Sequence, residues 1–140
     1  MQEKIYQFIK DQTCTSICTI GENSIPHCFT CYYAYNKENN LLYYKSSIDT
    51  QHAKFLAKNP IVAGTILPDK FNKLQVKGIQ FSGLLLNADD SLTKNAVVAY
   101  YLKYPLAAAV SGEVWVVQVN QIKYTDNTLG FGTKLIWERI

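Results

Sequence analysis

Arginine is nearly absent from this chain: thirteen of its fourteen basic residues are Lys, and Arg139 is the sole Arg. Arg is the side chain that forks onto phosphates and carboxylates, so an anion site here must rely on Lys, hydroxyls and backbone amides. Histidine is scarce too, with only His27 and His52 to serve a His-centred triad. The sequence contains no P-loop, no Gly-x-Gly-x-x-Gly after a strand, no His-Glu-x-x-His and no Gly-x-Ser-x-Gly. No apolar run approaches the roughly 20 residues that span a bilayer. The amino terminus lacks the apolar block and cleavage site of a signal peptide. Fourteen basic residues against eleven acidic ones leave +3 with no dense cluster, which argues against a nucleic-acid partner. A cytoplasmic protein without a membrane partner is the expectation.

What is present suits one compact domain over residues 1–140. Hydrophobic residues make up 48% of the chain and charged residues 18%, which excludes disorder as its main content. Ten Tyr within an aromatic share of 13%, together with many β-branched residues, favour sheet.

The four cysteines, Cys14, Cys18, Cys28 and Cys31, crowd into one stretch. Their spacing approaches that of a four-thiolate zinc site. However, His27 to Tyr33 reads as a continuous strand, on which Cys28 and Cys31 point to opposite faces and do not readily share a metal. No Gly-bearing turn lies within either Cys pair. A disulfide is disfavoured in a reducing compartment.

Periodicity predicts a short amphipathic helix over 2–11, with Ile5, Phe8 and Ile9 on one face. Strands follow over 16–20, 26–36 and 41–46, with turns at 21–24 and 37–40. The period then switches to a helix over 50–58, where Ala53, Leu56 and Ala57 share a stripe and Asn59-Pro60 stops it. Further strands are predicted over 61–67 and 74–87, the second broken by Gly78 and Gly83. Asp90-Ser91 can cap a helix running to Tyr104, with Val97, Val98, Tyr101 and Leu102 as its buried face. Residues 113–124 alternate as a strand, 128–132 turn, and 133–137 close the chain. Hairpin-length connections among so many strands favour an α+β, mainly β protein: a six- to seven-stranded antiparallel barrel with about three flanking helices.

The segment from Tyr44 to Lys54 is the most informative for chemistry. It takes a strand through a tight corner into a helix start and is crowded with hydroxyls and cations. Free amides at a helix amino terminus, helped by Ser and Thr oxygens, cradle phosphate. A helix cap from Ser47 or Asp49 would account for the same residues. A second polar loop, Thr125 to Lys134, carries Gly130-Phe131-Gly132 and suits either a hairpin turn or a loop beside a ligand.

Leu41 to Pro60, ending Phe55-Leu56-Ala57-Lys58-Asn59-Pro60, resembles the flavin-phosphate segment of the pyridoxamine-phosphate-oxidase-like split barrels. Val114-Trp115 and Ile122-Lys123-Tyr124-Thr125-Asp126-Asn127-Thr128-Leu129-Gly130-Phe131-Gly132, then Lys134 and Ile136-Trp137, closely resemble the YhbP-like branch of that superfamily. The resemblance implies a homodimer with FMN in a cleft between subunits, serving as a small oxidoreductase or flavin carrier. It places Ser46 at the phosphate-binding strand end and Thr50 at a Ser position, with Gln51 and His52 where an Arg-Lys pair stands. Lys45 would add charge, Cys28 falls on an Arg position, and Phe29 and Thr30 lie on the strand lining the flavin ring. Lys134 falls near a basic substrate-phosphate position and Thr125 near a Trp. The departures at Cys28, Gln51 and His52 remove fixed positive charge. The alternative reading is the same barrel without a cofactor, or holding haem or a phosphorylated metabolite.

Overall fold

The computed structural model describes residues 1–130 and 132–140. Its elements are α1 (Glu3–Asp11), β1 (Cys14–Ile20), β2 (Pro26–Asn36), β3 (Leu41–Ser46), α2 (Gln51–Lys58), β4 (Ile61–Ile66), β5 (Lys77–Leu85), α3 (Ala96–Lys103), β6 (Glu113–Asp126) and β7 (Lys134–Glu138). The strand order is β3-β2-β1-β4-β5-β6-β7, and β3 also pairs with β6. That extra pairing closes six antiparallel strands into a barrel and leaves β7 outside it, so the expected α+β barrel is the observed architecture. Closure removes the exposed edges an open sheet would present.

Two clusters flank the barrel wall. The interior one joins Ile5, Phe8 and Ile9 of α1 to Leu56 of α2 and to inward side chains such as Ile17, Tyr33, Val62 and Ile122. The outer one packs Ala96 and Tyr100 of α3 against Ala34, Leu41, Tyr43 and Val116. β3 is therefore buried on both faces, which explains its unbroken apolar run.

The third helical region departs from expectation. Its predicted span divides into a 3₁₀ turn over Ser91–Thr93 and α3, and a second 3₁₀ turn over Pro105–Ala109 follows beyond it. Asp90 caps the first turn through Leu92 N. The buried face of α3 is Ala96 and Tyr100, whereas Val97, Val98 and Leu102 are exposed. A helix apolar on every side offers several stripes, and the one headed by the small Ala96 is the one packed on Ala34, Leu41, Tyr43 and Val116. The stripe on α2 also shifts, with Ala53 and Leu56 buried and Ala57 exposed.

The break expected at Gly83 is a bulge. Ser82 pairs with Gln121 and Gly83 with Val119, so Asn120 has no partner across the ladder. A Cβ on Gly83 would lie 2.2 Å from the Gln118 carbonyl oxygen, so only Gly permits this approach. Arg139 donates its backbone N–H to the freed Asn120 carbonyl at 2.7 Å. Its guanidinium donates to the carbonyls of Val119, Asn39 and Asn40. The sole arginine is thus a backbone clamp that ties the chain end to the β2–β3 turn.

Candidate functional site

β3 ends at Ser46, four residues turn, and α2 begins at Gln51. The corner is held from both sides. Trp115 Nε1 donates to the Ser46 carbonyl at 3.0 Å, and Thr50, not Ser47 or Asp49, is the helix cap. Its Oγ1 accepts from Ala53 N at 3.3 Å and donates to the Ser47 carbonyl at 2.9 Å. Ser47 instead accepts from Asp49 N at 3.2 Å, tightening the turn. Capping by Thr50 leaves the amides of Gln51 and His52 as the free donors of the first helical turn.

His52 leans back across the corner. Its Nε2 lies 2.7 Å from Ser46 Oγ, and its ring stacks on Phe29 of β2 with centroids 3.7 Å apart and planes 9° from parallel. His27 lies 6.5 Å from His52 in a stacked orientation and meets the edge of Phe55 at 5.6 Å. Burial lowers the His52 pKa below the ordinary imidazole value, and the His27 ring adds to the shift. His52 is therefore neutral at pH 7.

Five of the residues expected from the sequence meet here: Phe29, Ser46, Thr50, Gln51 and His52. The others lie elsewhere. Cys28 and Thr30 occupy the outward face of β2 by strand alternation, where Thr30 Oγ1 meets Ser16 Oγ at 3.1 Å. Lys45 Nζ donates to the Ala107 carbonyl at 2.7 Å and to that of Val110, and sits 5.0 Å from the Tyr101 ring centroid. Lys134 opens β7 and pairs with Thr125, outside the closed barrel. Sequence reasoning overlooked His27, Phe55 and Trp115. Signals existed for two of them: His27 shares a strand face with Phe29, and Phe55 follows His52 by three on one helix.

The second polar loop is a backbone device in its described residues; Phe131 of the expected turn lies outside them. Asp126 is buried and accepts from Thr128 N at 2.9 Å, from Thr128 Oγ1 at 2.6 Å and from the Tyr124 hydroxyl at 2.9 Å. Asn127 accepts from Val76 N and donates to the Leu74 carbonyl. These bonds anchor the segment before β5 and spend the polar groups that made the loop look receptive.

Beside the corner a cleft of about 960 Å³ opens between α2 and α3, lined among others by Ile48, Lys54, Val97, Tyr101 and Trp115. Among the described residues, no group of three or more His, Cys, Asp or Glu could hold a metal ion. Among them too, no helix is long and apolar enough to cross a membrane.

A closed six-stranded antiparallel barrel with a strand outside it, and a strand-to-helix corner of this kind, define a split barrel of the pyridoxamine-phosphate-oxidase-like class. Solved structures agree on the fold. A heme binding protein from Mycobacterium smegmatis superposes with a TM-score of 0.80 at 15% identity, covering 97% of this chain and 57% of that one. A FAD-binding protein from Mesorhizobium loti gives 0.69 at 13%, covering 88% and 90%. A general stress protein 26-related protein of the pyridoxinephosphate oxidase family, from Clostridium acetobutylicum, gives 0.67 at 13%, covering 96% and 92%. This chain spans little more than half the length of the mycobacterial protein.

No protein-family model matches the chain. Full-length relatives do. The UPF0306 protein plu4501 of Photorhabdus laumondii is 33% identical over 135 residues, covering 96% of this chain and 94% of the relative. The UPF0306 protein YhbP of Escherichia coli is 29% identical over 135 residues, covering 96% of each. The chain belongs to the UPF0306 family.

Proposed function

We propose that residues 1–140 form one cytoplasmic flavin-binding domain that acts as a homodimer and holds FMN, as a small oxidoreductase or flavin carrier of unassigned substrate. The observation that carries this reading is the corner itself. Phe29, Ser46, Gln51 and His52 converge where a strand end meets a helix start, in a fold shared with a protein named as FAD-binding.

The donors at the corner fit a phosphate monoester as hydrogen-bond partners: the Ser46 hydroxyl, the amides of Gln51 and His52, and the Gln51 side chain. They supply no fixed positive charge, because Arg139 and Lys45 spend their donors on carbonyls. Bound FMN would supply two-electron redox chemistry, and the protein would supply binding and orientation. With FMN bound, Ser46 would turn its hydroxyl from His52 to a phosphate oxygen. The freed imidazole would then be able to take a proton and add positive charge at the corner. The Cys28 to Thr30 backbone would line the flavin ring, and Lys134 would contribute charge near the substrate.

Homodimerisation draws support from apolar side chains left in water around the end of α3, including Leu102, Leu106 and Val110 at 64–89% exposure. A shallow pocket joins Leu106 to Tyr32 of β2, so this apolar surface continues onto the barrel.

The test is a titration of FMN with purified protein, followed by quenching of flavin fluorescence, with riboflavin in parallel. Saturation at one FMN per chain, tighter than riboflavin, supports the reading. Equal or absent binding of both removes it. A second reading, haem, rests on the two histidines meeting at the corner and on the neighbour named as heme binding. A Soret band that His27→Ala and His52→Ala each abolish would select it.

A further inference from the structure

The outward face of β1 and β2 carries a pair of thiols that the flavin corner does not use. The two strands are antiparallel with Cys18 directly opposite Cys28. Tyr33 N donates to the Thr13 carbonyl at 3.2 Å and Gly21 N to the Ile25 carbonyl at 2.7 Å. These contacts mark the 13–33 and 21–25 pairs of the ladder as hydrogen-bonded. Pairs alternate along an antiparallel ladder, so 18–28 falls in a non-hydrogen-bonded position. There the Cα atoms approach to about 4.5 Å and the side chains stand closest. That separation lies within the roughly 4.4–6.8 Å a disulfide bridges.

The surroundings suit reaction. Cys28 is exposed and Cys18 half-buried, and both line a shallow depression of about 310 Å³ with Ser16, Ala63 and Gly64. Cys18 Sγ donates to the Thr19 carbonyl at 3.8 Å, and the neighbouring Cys28 thiol, with burial, raises the Cys18 pKa. The remaining cysteines are placed differently. Cys14 faces Tyr32 and Cys31 faces Thr15 in the ladder. Cys31 packs against the barrel interior, where burial pushes its thiol up to about 12.

We propose that Cys18 and Cys28 form a reversible dithiol–disulfide couple on the outer face of the barrel, oxidised by hydroperoxides. Cys28, the exposed thiol, loses its proton to water and attacks a peroxide oxygen. The O–O bond breaks, and the departing hydroxide takes up a proton to become water. The resulting sulfenic acid is attacked by Cys18 sulfur, which releases its own proton. The S–S bond forms, the S–O bond breaks, and a second water leaves. Each sulfur contributes one of the two electrons that hydrogen peroxide accepts. A dithiol reductant reverses the reaction by exchange, as is usual for an exposed disulfide.

The couple does not depend on flavin, so the experiment uses flavin-free protein. The full chain is reduced, desalted and treated with stoichiometric hydrogen peroxide. Remaining thiols are then counted by alkylation and the linked peptides mapped by mass spectrometry. The expected result is loss of two of the four thiols, a mass decrease of about 2 Da from the two hydrogens removed, a Cys18–Cys28 cross-linked peptide, and recovery with dithiothreitol. The C14S/C31S double variant should behave as the parent, while C18S and C28S should each fail to form the intramolecular link. Four alkylatable thiols after treatment, or a link that involves Cys14 or Cys31, would overturn the proposal.

Discussion

Replacing Gln51 by Arg and His52 by Lys tests the account of the corner most directly. His52 now satisfies Ser46 with a bond of 2.7 Å and covers Phe29 at 3.7 Å. The double change frees the Ser46 hydroxyl and adds two cations beside the amides of the α2 start. Hydrogen bonds to a charged group contribute about 1.5–3 kcal/mol when well shielded. Gln51 is exposed and His52 half-buried, so solvent screening reduces each to about 1 kcal/mol. Together these give about 2 kcal/mol, or a roughly 30-fold tighter FMN complex. Riboflavin, which lacks the phosphate, should bind the variant no better than the parent. The gain should shrink towards 1 M salt, where the Debye length falls to about 3 Å. Fluorescence titrations of both ligands at low and high salt, with a melting curve to confirm folding, decide the matter. An equal gain for riboflavin, or none for FMN, would show that the phosphate does not sit at this corner.

Three other expectations follow from the same geometry. Burial and the His27 ring lower the His52 pKa in the free protein, and the opposite charge of a bound phosphate would raise it, so affinity for FMN should increase as pH falls through the imidazole range. Parallel titrations of H52Q, which lacks the titrating ring, should lose that increase, and an identical pH profile would contradict the role given to His52. Gly83→Ala places a Cβ 2.2 Å from a backbone oxygen, whereas at Gly78 the nearest atom is 3.4 Å away. Urea unfolding should show a loss of at least about 1–3 kcal/mol for G83A and a much smaller one for G78A. At Asp126 burial alone pushes the carboxyl pKa up, but hydrogen bonds from Thr128 and Tyr124 and the Lys77 ammonium outweigh it and hold it below the ordinary value. Its stabilising contribution is thus complete above the unfolded carboxylate pKa of about 3.9 and is lost as pH falls through the lower folded value. D126N should melt earlier than the parent at pH 7, and the gap should close on acidification; a constant gap would refute the assignment.

Much of this molecule is legible in one dimension. Period-2 and period-3.6 patterns are local, so the helix carrying Ile5, Phe8 and Ile9 and the strands over 26–36 and 41–46 could be read from spacing alone. The Ser46 to His52 corner was visible for the same reason, since a strand end and a helix start lie a few residues apart. Residue types also set a limit that folding did not change: with one Arg, at most one guanidinium fork was available for a phosphate.

Tertiary structure decided what each polar group is used for. Hydrogen-bond partners at long sequence separation have no local signature. Nothing in the sequence shows that Lys45 reaches the carbonyls of Ala107 and Val110, or that Arg139 clamps Asn39 and Asn40. Nor does it show that Asp126 and Asn127 are spent on their own turn and on the segment before β5. The buried stripe of α3 was equally unreadable, because an all-round apolar helix takes its orientation from the surface it meets. Strand register, which places Cys18 opposite Cys28 and separates both from Cys31, exists only once the hairpin has closed. Local pattern determines which elements form; the pairing of distant backbone and side-chain groups determines which residues remain free to act.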